Sequence, residues 1–197
     1  MHIIGITGPS GAGKSMLCGV LQKNNIHTID ADEVYHSLLV PPSPCLDALT
    51  EAFGKDILAT DGSLDRKALS KIVFNDKEKL DLLNSTVLGF VLNKIRSEIS
   101  ALDKSGATAV AVDAPTLIES GFHKECDTVV AVLSSRDTRI ERIIARDDID
   151  KDAAELRTHA QRPDEFYIKR ADFIIKNNNG KDELEAKAAE LLRALGL

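Results

Sequence analysis

Residues Gly8 to Ser15 read Gly-Pro-Ser-Gly-Ala-Gly-Lys-Ser, a complete G-x-x-x-x-G-K-[ST] string directly after the apolar run Ile3-Ile4-Gly5-Ile6-Thr7. Small residues at those spacings let backbone N–H groups turn inward and approach anionic oxygens with no side chain in the way. A strand that delivers the loop and a helix N-terminus that receives it complete a cradle for a polyphosphate. The segment after Ser15, Met16-Leu17-Cys18-Gly19-Val20-Leu21, is compatible with that helix. Lys14 can reach the β- and γ-phosphates as a point charge, and the Ser15 hydroxyl is placed to bind magnesium. Gly8, Pro9, Ser10, Gly11, Ala12, Gly13, Lys14, Ser15 and Met16 are therefore the expected nucleotide contacts.

Carboxylates follow two apolar runs that read as strands. Ile29-Asp30-Ala31-Asp32 closes one, and Ala109-Val110-Ala111-Val112-Asp113 is the other. The carboxyl ends of strands in an open α/β sheet border the ligand crevice. Asp113 then suits a magnesium site. Asp32 admits two readings, either accepting the proton of an attacking hydroxyl and orienting it in line, or capping a helix that begins near Glu33. Pro115-Thr116-Leu117-Ile118-Glu119 puts a turn and Glu119 at the same edge.

Arg139, Arg142 and Arg146 are spaced three and four apart on a predicted helix, hence on one face. Residues 136–170 hold nine basic and nine acidic side chains, so no general field there draws a polyanion. Seven of the nine bases are arginine, whose planar fork matches phosphate oxygens. This singles out Arg142 and Arg146, while Arg136 and Lys151 are assigned to the surface.

Elements must position these groups. The chain of 197 residues, 43% hydrophobic, can bury the core of one α/β domain. Candidate strands span 2–7, 26–29, 109–113, 128–133 and 172–176, alternating with helical patterns, as in a parallel sheet covered on both faces. A long helix is expected over about 77–102, burying the stripe Leu80, Leu83, Val87, Val91, Ile95, Ile99 and Leu102, and a C-terminal helix over 181–195. Pro41-Pro42-Ser43-Pro44 reads as a rigid connector between helices. Some 75 mostly helical residues separate the second strand from the third, and residues 147–170 precede the last strand with the charge mix of a closing lid.

A net charge of −6 argues against nucleic acid or an anionic membrane as a general partner. The three cysteines, Cys18, Cys45 and Cys126, lack zinc-ligand spacing and read as small apolar residues in a reducing compartment. No run has membrane-spanning length and the N-terminus has no signal-peptide pattern, so the cytoplasm is expected.

Together these pieces resemble the dephospho-coenzyme A kinase family nearly end to end. The matching stretches are Gly5-Ile6-Thr7-Gly8 through Gly13-Lys14-Ser15, Ile29-Asp30-Ala31-Asp32, Phe53-Gly54, Asp61-Gly62-Ser63-Leu64-Asp65-Arg66 and Leu69 with Val73-Phe74. They continue with Leu83-Asn84, Asp113-Ala114-Pro115 with Leu117 and Glu119, Arg142 with Arg146-Asp147, Arg157 with Gln161, and Ala171-Asp172 with Asn177. The resemblance implies a P-loop kinase fold, a five-stranded parallel sheet flanked by helices, in a single domain over residues 1–197. Its core is expected at 1–32, 109–146 and 171–197, a helical acceptor-binding insertion at about 33–108, and a lid at about 147–170.

It further implies transfer of the ATP γ-phosphoryl group to the ribose 3′-hydroxyl of dephospho-coenzyme A, the final step of coenzyme A biosynthesis, with Mg2+. Lys14, Asp32 and Arg142 would be catalytic. Arg142, Arg146 and Asn177 would join the phosphate loop around ATP, and Ser15 with Asp113 would hold the metal. Asp32, Arg66, Pro115, Leu117, Glu119 and Arg157 would contact the acceptor. For Arg66, a surface arginine at a helix start is the alternative. Two departures stand out: Leu88-Gly89 where the family carries His-Pro, and Pro9-Ser10 where it has Gly-Ile. A nucleoside or nucleoside monophosphate kinase shares the chemistry and is the competing reading. A GTPase would need Asn-Lys-x-Asp, and Asn93-Lys94-Ile95-Arg96 lacks the aspartate. A non-catalytic nucleotide-binding subunit would have no use for Asp32 with lid arginines. A monomer is compatible with these readings, and the residues do not choose an oligomeric state.

Overall fold

The computed structural model describes residues 1–73 and 76–197. Phe74, half of the matching Val73-Phe74 pair, lies outside the described residues. In chain order the elements are β1 (His2–Thr7), α1 (Lys14–Lys23), β2 (His27–Asp30), α2 (Ala31–Ser37), α3 (Pro44–Phe53), α4 (Arg66–Val73) and α5 (Lys77–Lys104). They continue through β3 (Ala109–Asp113), β4 (Thr128–Leu133), α6 (Arg136–Asp147), α7 (Lys151–His159), α8 (Asp164–Ile168), β5 (Phe173–Lys176) and α9 (Lys181–Leu195). Two compact units form, one from Met1–Asp30 with Ala101–Leu197, the other from Ala31–Ser100.

The first unit is built on a sheet of order β2-β3-β1-β4-β5, every neighbouring pair parallel. Period-2 alternation sorts its side chains. Ile4 and Ile6 of β1, Ala109 and Ala111 of β3, and Val130 and Val132 of β4 face Leu17 and Leu21 of α1 and Leu184, Ala188 and Leu191 of α9. Ala131 and Leu133 of β4 point the other way, onto Ile118 and Tyr167. All residues of β3 and β4 are buried, which is why both strands read as unbroken apolar runs.

The chain leaves β1 between β3 and β4, its two neighbours, so the loop after Thr7 emerges where the winding direction of the sheet reverses. Neighbouring carboxyl ends carry Asp30 and Asp113, which are register partners of β2 and β3.

The second unit has its own core of Leu39, Cys45, Leu49, Ile57, Leu69 and Val73, with Leu83, Val87 and Phe90 of α5 packed against it. Ser43 caps α3 by accepting from Leu46 N–H at 3.2 Å, with Pro44 in the first turn where its missing N–H costs nothing. The proline-rich stretch is thus the connector between α2 and α3. The long helix packs through Leu83, Val87 and Ile95 of its expected stripe but not through Leu80. Of the stripe, Ile95 alone is buried within α5, and Leu80 is 42% exposed because the packed surface runs through Leu83, Val87 and Phe90.

The Asp61-Gly62-Ser63-Leu64-Asp65-Arg66 segment is a folding device. The Asp61 carboxylate accepts from Ser63 N–H and Oγ at 3.0 and 2.6 Å, which shapes the turn. Leu58 and Leu64 bridge across it. Asp65 then accepts from Lys67 and Ala68 N–H at 2.9 and 3.0 Å and starts α4. No helix among the described residues is long and apolar enough to cross a membrane.

Candidate active site

The phosphate loop is held by close backbone approaches that only glycine permits. Gly8 has φ 137°, and a Cβ there would lie 2.1 Å from the Val132 carbonyl oxygen. Gly13 has φ 101°, and a Cβ there would lie 2.1 Å from Asn177 Nδ2. With those two positions bent, α1 starts at Lys14 with no side-chain cap on its first N–H groups, the open helix N-terminus that suits an anion. Ser15 and Met16 are exposed on that first turn.

Lys14 Nζ donates to the Gly8 carbonyl at 3.0 Å, arching back over the loop it belongs to. Asn177, buried directly after β5, donates its amide to the Ala12 carbonyl at 2.9 Å, and its own N–H reaches Leu133 O at 2.8 Å. The ends of β4 and β5 therefore grip the same loop.

The arginine face of α6, which the spacing put together, falls on this loop. Arg142 Nη1 donates to the Gly11 and Ala12 carbonyls at 3.2 and 3.3 Å and to Ser134 Oγ at 3.4 Å. Arg146 Nη2 donates to Ser10 Oγ at 3.2 Å while its Nε holds Asp147 at 2.7 Å. Asp147 also pairs with Arg157 of α7. The Arg146 guanidinium, then Arg157, hold the Asp147 carboxyl below the usual carboxylate range. Arg136 and Lys151 are exposed, Lys151 pairing with Glu155, as expected of surface residues.

Arg139 is the residue that spacing placed on this face but did not single out. It is 6% exposed, and it donates from Nε to Ser10 O at 3.1 Å and from Nη2 to Gln161 Oε1 at 2.6 Å. The same Gln161 oxygen accepts from Ser10 N–H at 2.9 Å. The i, i+3, i+7 spacing carried the signal for Arg139, but nothing local distinguishes a buried arginine from an exposed one. Gln161, matched only through the family resemblance, meets the loop across 151 residues of chain.

Not every expected acceptor contact sits on a binding surface. Leu117 is fully buried, and a Cβ on Gly5 would lie 2.7 Å from its Cδ2, so its side chain belongs to the core under β1. Pro115 is exposed, and its carbonyl accepts from Thr7 Oγ1 at 3.5 Å. Glu119 faces Arg162 at 3.8 Å. In the second unit, Arg66 is exposed at the start of α4, and its charge favours ionisation of the Tyr35 hydroxyl, which burial otherwise disfavours. Asp32 lies in the first turn of α2, which begins at Ala31, one residue after β2 ends. It is therefore inside the helix, where the capping reading placed it just before; its charge still suits the helix N-terminus. Leu88 and Gly89 are exposed within α5.

The donors expected for magnesium are hard oxygens. Asp113 is buried at the end of β3, where its Oδ2 accepts from the Cys18 thiol at 3.7 Å. Burial, then the Asp113 carboxylate, push the Cys18 thiol far above the usual range, so it stays a neutral donor and no competing soft ligand. Among the described residues, no group of three or more His, Cys, Asp or Glu could hold a metal by itself. One carboxylate and one hydroxyl fit an ion that keeps most of its shell from phosphates and water, as magnesium does.

A parallel sheet of this order, a glycine-bent loop at its switch point and guanidinium groups bent over that loop define a P-loop phosphotransferase of kinase fold. A shikimate kinase from Acinetobacter baumannii, 18% identical with a TM-score of 0.57 over 99% of this chain and 93% of its own, shares that fold. Residues 2–183 match the dephospho-CoA kinase family, to which the chain belongs. A dephospho-CoA kinase from Carboxydothermus hydrogenoformans is 35% identical over 98% of this chain and 94% of its own. A solved dephospho-CoA kinase from Campylobacter jejuni is 27% identical with a TM-score of 0.73, covering 98% of this chain and 96% of that one.

Proposed function

We propose that this chain transfers the γ-phosphoryl group of ATP to the ribose 3′-hydroxyl of dephospho-coenzyme A, giving coenzyme A and ADP in the last step of coenzyme A biosynthesis. The observation that carries this reading is the convergence of Lys14, Arg139, Arg142, Arg146 and Asn177 on the carbonyls and hydroxyl of one phosphate loop, in a chain of this family. A new bond forms between O3′ and Pγ, and the bond from Pγ to the β,γ-bridging oxygen breaks. The hydroxyl proton passes to the Asp32 carboxylate and the electron pair of the broken bond leaves with ADP.

The loose transition state spreads charge over the equatorial oxygens, so the protein acts by positioning and by fixed positive charge. Lys14 leaves the Gly8 carbonyl for the γ-phosphate. Arg142 and Arg146, whose guanidinium groups donate to neutral loop carbonyls and to the Ser10 hydroxyl, turn to phosphate oxygens, anionic acceptors that hold a guanidinium more strongly. Magnesium arriving with the triphosphate would neutralise the ADP leaving group, held by Ser15 Oγ and the Asp113 carboxylate. Residues 147–170 act as a lid that excludes water through the Arg146–Asp147–Arg157 chain, and residues 33–108 receive the acceptor, with Arg66 and Glu119 among its contacts. The substrates are small soluble molecules and the reaction belongs to the cytoplasm. It needs no nucleic acid or membrane.

The test is an acceptor screen with purified protein, ATP and Mg2+. ADP release stimulated by dephospho-coenzyme A and absent with nucleosides or nucleoside monophosphates is expected. Stimulation by a nucleoside monophosphate alone moves the chain to that class of kinase.

A further inference from the structure

Arg139 is a buried cation with neutral hydrogen-bond partners. Its guanidinium donates to the Ser10 carbonyl at 3.1 Å and to the Gln161 amide oxygen at 2.6 Å, and the residue is 6% exposed. Among the described residues no carboxylate lies within ion-pair distance of it. Arg146 on the same helix face, by contrast, is exposed and holds Asp147. A charge taken out of water without a counter-charge weakens a fold, and such groups persist where a ligand supplies the missing partner. Burial disfavours the charged form of Arg139, and the more distant Asp164 offsets this in part.

We infer that Arg139 is a positioning residue for the nucleotide: a permanent positive charge set beneath the phosphate loop by Gln161, with no ion-pair partner among the described residues of the free protein and neutralised by the triphosphate. The inference rests on the reading of the loop as an ATP site. Its geometry is a closed triangle. The Gln161 oxygen accepts from Ser10 N–H at 2.9 Å and from Arg139, and Arg139 returns a bond to Ser10 O. Because Gln161 is neutral, it fixes the guanidinium without cancelling its field. The group does not touch the phosphates; it acts through the loop and through space, where partial desolvation leaves a unit charge strong at short range.

The physical consequence is an opposition between stability and binding. Thermal unfolding and titration calorimetry with ATP, ADP and AMP on wild type, Arg139→Gln and Arg139→Lys read both sides. Without nucleotide, Arg139→Gln is expected to melt at or above the wild-type temperature, since a desolvated charge has been removed. Its ATP affinity is expected to fall by about tenfold or more, with smaller losses for ADP and smaller still for AMP. Arg139→Lys, which keeps the charge, should recover most of the ATP affinity. Arg139→Gln that melts well below wild type and loses affinity for all three nucleotides by one factor overturns the inference in favour of a plain strut. Unchanged affinity overturns it as well. A wild type that ATP does not stabilise removes the ATP site and this inference together, whereas a stabilised wild type with a flat Arg139→Gln profile removes this inference alone.

Discussion

Gly13 and Asn177 pack so closely that a Cβ on Gly13 would stand 2.1 Å from the Asn177 amide nitrogen, the group that donates to Ala12 O at 2.9 Å. The phosphate loop and the strand end at β5 are one mechanical piece, although 164 positions separate the two residues in sequence. Gly13→Ala must push Asn177 off the loop and hold alanine at φ 101°, a strain on the order of 1–3 kcal/mol before the lost contact is counted. Loss of the ATP-induced rise in melting temperature is expected. Adding Asn177→Ala relieves the clash and should recover part of the stability, because the pair is coupled. A Gly13→Ala protein that melts and binds ATP like wild type removes the coupling.

Asp32→Asn separates chemistry from helix electrostatics. If the carboxylate accepts the hydroxyl proton, kcat should drop by roughly 10² to 10⁴ while ATP affinity holds. If it serves only the first turn of α2, the loss is about 0.3–1 kcal/mol of stability and kcat stays near wild type. Steady-state rates beside calorimetric ATP binding decide between them.

Arg142→Lys keeps the charge but loses the fork. Arg142 reaches two loop carbonyls from a single nitrogen, which leaves the rest of the fork for phosphate oxygens. A fall in kcat of at least about tenfold is expected, roughly 1.4 kcal/mol of transition-state stabilisation, with a smaller change in ATP affinity. Arg136→Lys, on the exposed side of α6, is the control and should match wild type. Equal behaviour of the two variants would disprove the face-specific role of Arg142.

Burial, then Glu125 and Asp127, push the Cys126 thiol up to about 12 from its ordinary 9.0. The folded state therefore retains this proton over a pH range in which the unfolded chain releases it. The stabilisation is fully present below about pH 9 and is lost as pH rises through about 12. Cys126→Ala should flatten part of the alkaline fall in melting temperature between those limits. At pH 8 a thiol reagent should label Cys126 more slowly in the native than in the unfolded protein; equal rates would contradict the raised thiol value.

The helical and strand periods were legible from residues alone, because burial on one face imposes period 2 or 3.6 wherever the sheet or a helix packs. β1, β3 and β4 fall at 2–7, 109–113 and 128–133 as expected, and α9 at 181–195. The phosphate loop was legible for a related reason: glycine, lysine and serine there answer to local backbone geometry, and Arg142 and Arg146 followed from spacing on one helix. What the linear order did not contain was which distant groups share a volume. Leu117 went to the core beneath Gly5, the exposed Leu80 dropped out of the α5 stripe, and helix α2 started one residue before Asp32. Arg139 shared a helix face with Arg142 and Arg146 but was not singled out until tertiary packing buried it against Ser10 and Gln161. Desolvation and hydrogen-bond partnership are properties of that assembled environment. The chain alone determined which residue types and spacings suit a phosphate loop, and only the fold decided which of the α6 arginines is buried against Ser10 and Gln161.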